Sequence, residues 1–265
     1  MPLEDPERRG CSVSELAGIS VEALRGLPEV TPGFDLGAAL ADAIDLSDGD
    51  VLAISQKVVS KAEGRIVDLD GVEPGSEAIE LGTRLDKDPK LVEVVLSESR
   101  AVIRTDAERG ILITETHHGF ICANAGVDAS NAPADGSVVL LPADPDRSAR
   151  EIRAKIAALK GSRPAVVISD SFGRAWRLGQ VEVAIGCAGL DPLDDWRGRK
   201  DTVGRELTAT TIGIADQIAS AADLVRDKTS RTPAVRVRGL SRFVRPDDGP
   251  GCGGQLRPPG EDLFR

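Results

Sequence analysis

The chain has 265 residues, 41% hydrophobic and 29% charged, with a formal net charge of −10: a soluble composition long enough to bury a sizeable core. That acidity disfavours nonspecific attraction to nucleic-acid backbones or anionic membranes, and five Phe, two Trp and no Tyr leave little for stacking against single-stranded bases. Cys11, Cys122, Cys187 and Cys252 are dispersed without a Cys-x-x-Cys pair, which argues against a structural zinc site or a disulfide framework.

Residues 1–16 are charged, contain Pro2 and Pro6 and lack an apolar signal core, so they read as a disordered lead-in to one folded domain over 17–265. No apolar run reaches membrane-spanning length, and a cytoplasmic location is expected. The pattern predicts a strand over 19–24, then a helix capped by Asp35 and running to 46. A short buried strand over 51–55 leads into a helix over 56–61, stopped at Gly64. Ser76 and the pair Asp88, Pro89 each open a helix within 76–97. Short strands are expected over 101–105, 111–116, 119–123 and 138–141, with a polar loop over 124–131. A helix over about 146–160 carries Ile152, Ile156 and Leu159 as one apolar stripe.

The stretch 166–177 is an apolar β-branched run closed by Asp170 and Ser171, followed by a turn at Gly173 that carries Arg174 and Arg177. Open α/β sheets collect ligands beyond such carboxyl ends, and the same residues equally suit a surface turn after a core strand. A helix over 214–225 and a strand over 234–240 follow. Helices and strands intermix without strict alternation, so the expected class is α+β, an irregular mixed α/β arrangement.

No Walker-type phosphate loop is present, and Leu256 occupies the third glycine position of a dinucleotide fingerprint begun at Gly251. His117 and His118 are the only histidines; as strand neighbours they would face opposite ways and could not share one ion. Three segments offer oxygen or positive charge instead. Asp128 lies among amide and small residues, a setting for a hard ion or for a plain turn. Asp170 and Ser171 precede the forked donors of Arg174 and Arg177. Lys57 and Lys61 sit one helical turn apart, as a phosphate clamp or a solvated stripe. Asp201 and Glu206 are further candidate ligands around a turn.

Taken together and in order, several blocks resemble the coenzyme F420-0:L-glutamate ligases, the gamma-glutamyl ligases of deazaflavin coenzyme biosynthesis. The blocks are 26–33, 55–64, 124–131, 141–146, 168–177 and 179–190, with Arg197, Gly198 and the terminal 257–265. The resemblance implies two intertwined subdomains in one catalytic unit, assembled as a homodimer. It implies GTP contacts at Leu27, Pro28, Glu29, Val30, Gln56, Lys61 and Asn131, and a divalent ion, Mg2+ or Mn2+, on Asp128 and Asp170. Ser171 matches a ligand of a second ion, and a monovalent cation is a further expected cofactor. Catalytic roles are expected for Asp128 and Asp170, and by side-chain chemistry for Arg174.

The implied reaction uses GTP to join the amine of L-glutamate to the carboxylate of the deazaflavin precursor F420-0, through an acyl phosphate, with GDP and phosphate released. Gln217 stands where the pattern has an acid, and 226–228 departs from a segment that reaches nucleotide and metal; Lys228 is the expected phosphate contact there. Those departures leave open a metal-dependent phosphohydrolase or a silent nucleotide-binding partner.

Overall fold

The structure is a computed structural model that describes residues 18–130, 132–226 and 231–262. The expected lead-in over 1–16, together with Asn131 and Lys228, lies outside the described residues. The first half of the chain forms β1 (Ser20–Leu24), α1 (Leu36–Ala43), β2 (Val51–Ser55), α2 (Gln56–Ala62), β3 (Ile66–Asp68), α3 (Ser76–Leu85) and α4 (Pro89–Ser97). Then come β4 (Ser99–Asp106), β5 (Ile111–Thr116), β6 (Ile121–Ala123), β7 (Ser137–Val139) and α5 (Pro145–Lys160). The remainder forms β8 (Ala165–Arg174), β9 (Arg177–Ala188), β10 (Leu193–Asp195), β11 (Thr211–Gly213), α6 (Ile214–Asp223) and β12 (Ala234–Arg238). This is the mixed α+β class expected from the sequence.

The main sheet has the strand order β1–β12–β2–β8–β9, parallel only between β2 and β8. Its central strands are apolar on both faces because helices cover both. Leu52, Ile54, Val166 and Ile168 pack with Leu40 of α1 and Ile152 and Ile156 of α5. Val51, Ala53, Val167 and Val235 face the other way, onto Ile214, Ile218 and Ala222 of α6. Burying each large aliphatic side chain in these layers contributes about 1.5–3 kcal/mol. A third cluster joins α3 and α4 to the small sheet β4–β5–β6 through Leu81, Leu85, Val92, Val95 and Leu112.

Several boundaries differ from expectation. The helix opened by Asp35, whose carboxylate accepts from the Ala38 N–H at 3.0 Å, ends at Ala43 because Ile44 is extended (φ −140°, ψ 133°). Leu159 is 51% exposed, so the buried face of α5 is carried by Ala149, Ile152, Arg153 and Ile156 instead. His117 and His118 occupy a turn between β5 and β6, where His117 meets the Ser97 carbonyl and His118 the Pro142 and Ala143 carbonyls. They are therefore not the strand neighbours expected from the sequence.

The largest difference lies in the stretch closed by Asp170. The strand does not stop there: β8 runs to Arg174 and turns into β9, with Ser171 opposite Glu182 and Gly173 opposite Gln180. Polar residues alternate with Phe172 and Val181, and one ladder, to β9, orders a backbone that sequence alone reads as a loop. The turn falls at 174–177, where Trp176 adopts a left-handed φ of 64°. No helix among the described residues is long and apolar enough to cross a membrane.

Candidate functional site

The pairing of β2 with β8 ends at Ser55 and Ser169, because the chain leaves the sheet to begin α2 at Gln56. From Asp170 onward β8 has β9 on one side only. Its other edge opens on a cleft of about 1200 Å³, large enough for a nucleotide and a second small molecule. The turn at Leu27–Pro28–Glu29–Val30, the α2 side chains Lys57 and Lys61, and the segment around Asp128 form the opposite wall.

Asp128 is held in place by an unusual piece of backbone. Asn124, Ala125 and Gly126 are all left-handed, at φ 51°, 52° and 72°, a conformation that is strained for the two residues with a Cβ. At Gly126 a Cβ would lie 2.7 Å from Leu141 Cγ, so only glycine permits this packing. Asp128 and Val139 then exchange backbone hydrogen bonds at 3.0 and 2.9 Å, fixing the carboxylate over the cleft.

On this wall the charges are paired. Lys57 Nζ lies 2.7 Å from Asp128 Oδ2 and donates to Ser130 Oγ at 2.5 Å; the Ser130 N–H donates to Asp128 Oδ1 at 2.6 Å. Burial pushes the Asp128 carboxyl up, but the Lys57 and Ser130 donors outweigh it and the net direction is down. Lys61 Nζ donates to Glu29 Oε1 at 2.7 Å, and that bond draws the Glu29 carboxyl down.

The β8 wall is different. Successive strand residues face opposite ways. Asp170 follows Ile168 toward the side of α2, beside Phe172, which meets Phe120 edge-on with ring centroids 6.2 Å apart. Burial, then repulsion from Glu182, pushes the Asp170 carboxyl up to about 7. Ser171 points toward α6 and donates to Glu182 Oε1 at 2.7 Å. Glu182 is 7% exposed; its Oε2 lies 3.6 Å from Arg226 Nη1, within ion-pair range but without a hydrogen bond. Arg226 donates instead to Ser169 Oγ at 3.1 Å and the Ala53 carbonyl at 2.9 Å, and its Nε has no hydrogen-bond partner. Glu182 was not singled out in the sequence, since an acid on an alternating strand looks like ordinary surface charge; Arg226 was marked only as the start of the departing segment 226–228, with no role of its own.

These donors fit a divalent cation. Asp128, Asp170, Ser171 and Glu182 offer carboxylate and hydroxyl oxygens along one cleft, the donor type a hard ion prefers; the three carboxylates do not all lie within 4.8 Å of one another, so an ion would be held by a subset of them.

The structure thus brings Leu27, Pro28, Glu29, Val30, Lys61, Asp128, Asp170 and Ser171 to one cleft. Gln56 is buried behind it, its Oε1 accepting from Ser60 Oγ at 2.8 Å and its Nε2 without a hydrogen-bond partner. Arg174 lies apart, on the hairpin tip, donating to the Leu178 and Gly179 carbonyls at 2.6 and 3.3 Å. Asp201 is spent on the N–H groups of Val203 and Arg205, and Gln217 is exposed on α6.

A family model for F420-0:Gamma-glutamyl ligase matches residues 26–239, which includes every wall of the cleft. The chain belongs to this family. Among its relatives in the F420-0:gamma-glutamyl ligase family, the protein named coenzyme F420:L-glutamate ligase of Methanopyrus kandleri is 46% identical over 239 residues, 89% of this chain and 94% of that protein. The protein of the same name from Methanothermobacter thermautotrophicus is 42% identical over 254 residues, covering 94% of this chain and 99% of the relative. A third, from Methanocaldococcus jannaschii, is 43% identical over 222 residues, 83% of this chain and 86% of that protein.

Proposed function

We propose that this protein is a GTP-dependent ligase that adds L-glutamate, through an amide bond of the gamma-glutamyl type, to the deazaflavin precursor F420-0. The observation that carries this reading is the convergence of the 27–30 turn, Lys61, Asp128, Asp170 and Ser171 on one cleft within the family-matched span. The relatives' names supply the acceptor and the amino acid.

Forming an amide from a carboxylate requires a leaving group on the carboxyl carbon. Phosphoryl transfer from GTP to the precursor's carboxylate gives an acyl phosphate and GDP; the glutamate amine then attacks and phosphate departs. Divalent ions, Mg2+ or Mn2+, neutralise triphosphate charge and stabilise the transferring group when bound. Asp128 and Asp170 would hold that charge, Ser171 would add an oxygen on the opposite face of β8, and Glu182 accepts the hydrogen bond of the Ser171 hydroxyl and so orients it. Lys61, released from Glu29 in a binding event, reaches phosphate; the 27–30 turn lies against the nucleotide. Arg226 balances Glu182 on the cleft floor. A monovalent cation belongs to the same proposed site.

We place the protein in solution as a homodimer. The β8–β9 hairpin exposes Trp176 (87%) and Leu178 (97%) beside Arg174, an arm whose apolar surface suits burial against a second copy. Such a dimer would also carry Arg174 away from solvent.

Incubation with GTP, Mn2+, L-glutamate and F420-0, followed by mass spectrometry, tests the reaction. A glutamate-dependent mass gain with stoichiometric phosphate is expected. Phosphate release indifferent to glutamate would instead make the protein a phosphohydrolase, and the absence of both products would leave a nucleotide-binding partner.

A further inference from the structure

Two of the cysteines that look scattered in the sequence, Cys187 and Cys252, meet in the fold. Cys187 near the end of β9 and Cys252 in the 3-10 turn Cys252–Gln255 are both buried, and their sulfurs and an Asp146 carboxylate oxygen all lie within 4.8 Å of one another. The group stands apart from the cleft, behind the face of the sheet covered by α6.

Three features make this a constructed meeting point. Asp146 Oδ1 accepts the backbone N–H groups of both Cys187 and Cys252, each at 2.8 Å, so one carboxylate fixes both thiol-bearing residues. Its second oxygen faces Gly251, where a Cβ would sit 2.3 Å from Oδ2; with φ at 78°, only glycine lets the final turn come so close. A second carboxylate, Asp216, held by the Ala184 N–H at 2.9 Å, lies close enough to act on the Cys252 thiol.

We propose that Cys187 Sγ, Cys252 Sγ and an Asp146 oxygen form a site for a thiophilic divalent cation of the zinc class, fastening the 251–256 segment to β9 and the start of α5. Two sulfurs and one carboxylate are a donor set that favours zinc over the hard ions suited to the cleft. Ligating carboxylates are characteristically anchored by further hydrogen bonds, the position Asp146 already holds. On binding, both thiols lose their protons to solvent and each sulfur donates a pair to the ion; no electrons are exchanged. The proposal does not depend on the ligase reaction.

The test is metal analysis of the full-length protein after zinc loading and extensive dialysis. One zinc per chain is expected in the wild type and in the cleft variant D128N/D170N, and under a tenth of that in C187A/C252A. Because the cysteine variant could fail to fold, cobalt loading of the wild type is read as well. A thiolate-to-cobalt charge-transfer band is expected, with denatured-state thiol counts unchanged. Wild-type protein without retained zinc and without that band overturns the site. So does an intact mass two hydrogens lighter with no metal bound, which would identify the pair as a disulfide.

Discussion

The two walls of the cleft carry the same kinds of side chain and put them to opposite states. On the α2 side, Asp128 and Glu29 each have an ammonium partner at 2.7 Å, and both carboxyls are drawn down. On the β8 side, burial and Glu182 push Asp170 up to about 7 against the Ser171 N–H and the charge of Lys57, and Arg226 lies 3.6 Å from Glu182 without a hydrogen bond. One wall is complete in itself. The other carries an acid surplus, and under the proposed function it is the wall where a bound cation would have the larger effect.

Breaking the unfinished wall has the largest expected effect. Asp170→Ala should lower metal-dependent turnover on the order of a thousandfold, with an unchanged circular dichroism spectrum. Retained activity would remove Asp170 from the metal site. Glu182→Gln should weaken Mn2+ binding about tenfold in calorimetry, since a charge is lost from the cluster and Ser171 loses its full acceptor. The same variant should bring the Asp170 titration down in carboxyl-detected NMR; an unmoved titration would mean that burial alone raises it.

The metal-free protein should also show the asymmetry as a pH dependence. A folded-state carboxyl raised from 3.8 to about 7 contributes stability below pH 4 that is lost as pH rises through 7. Asp170→Asn should abolish that decline and be more stable than the wild type at pH 8 by about 1–3 kcal/mol in urea unfolding. On the paired wall, Lys57→Met leaves Asp128 without its ammonium and should destabilise by about 1 kcal/mol, a figure discounted for the half-exposed carboxylate. Smallest of all, Glu29→Ala removes an exposed partner of Lys61 and should change stability by less than about 0.5 kcal/mol. A larger loss there would mean that the turn at 27–30 depends on the pair.

Much of the secondary structure was legible because local signals and tertiary packing agree. Asp35 caps the first helix, Asp88 and Pro89 open α4, and the apolar run of β2 is buried on both faces as such runs must be. The hairpin after Asp170 was not legible: Gly173 reads locally as a turn and Gln180 and Glu182 as polar surface, and only their pairing across β8 and β9 makes them strand. The blocks that meet in the cleft were identifiable from the family resemblance, whereas the pairings within it were not. Lys57 and Lys61 read as one stripe, yet they reach different acids on different segments. The meeting of Cys187 with Cys252 depends wholly on how the last turn packs back on β9, which no spacing rule encodes.

The early end of the β2–β8 ladder has a consequence beyond making room. A strand edge without a partner is a template for other strands, and proteins ordinarily blunt such edges with charge, bulges or cover. Here the edge of β8 from Asp170 to Gly173 is fenced by α2 and the segment following β6 and lined by ionised groups. Another polypeptide is thereby denied the edge, which faces a cleft that only small molecules can enter.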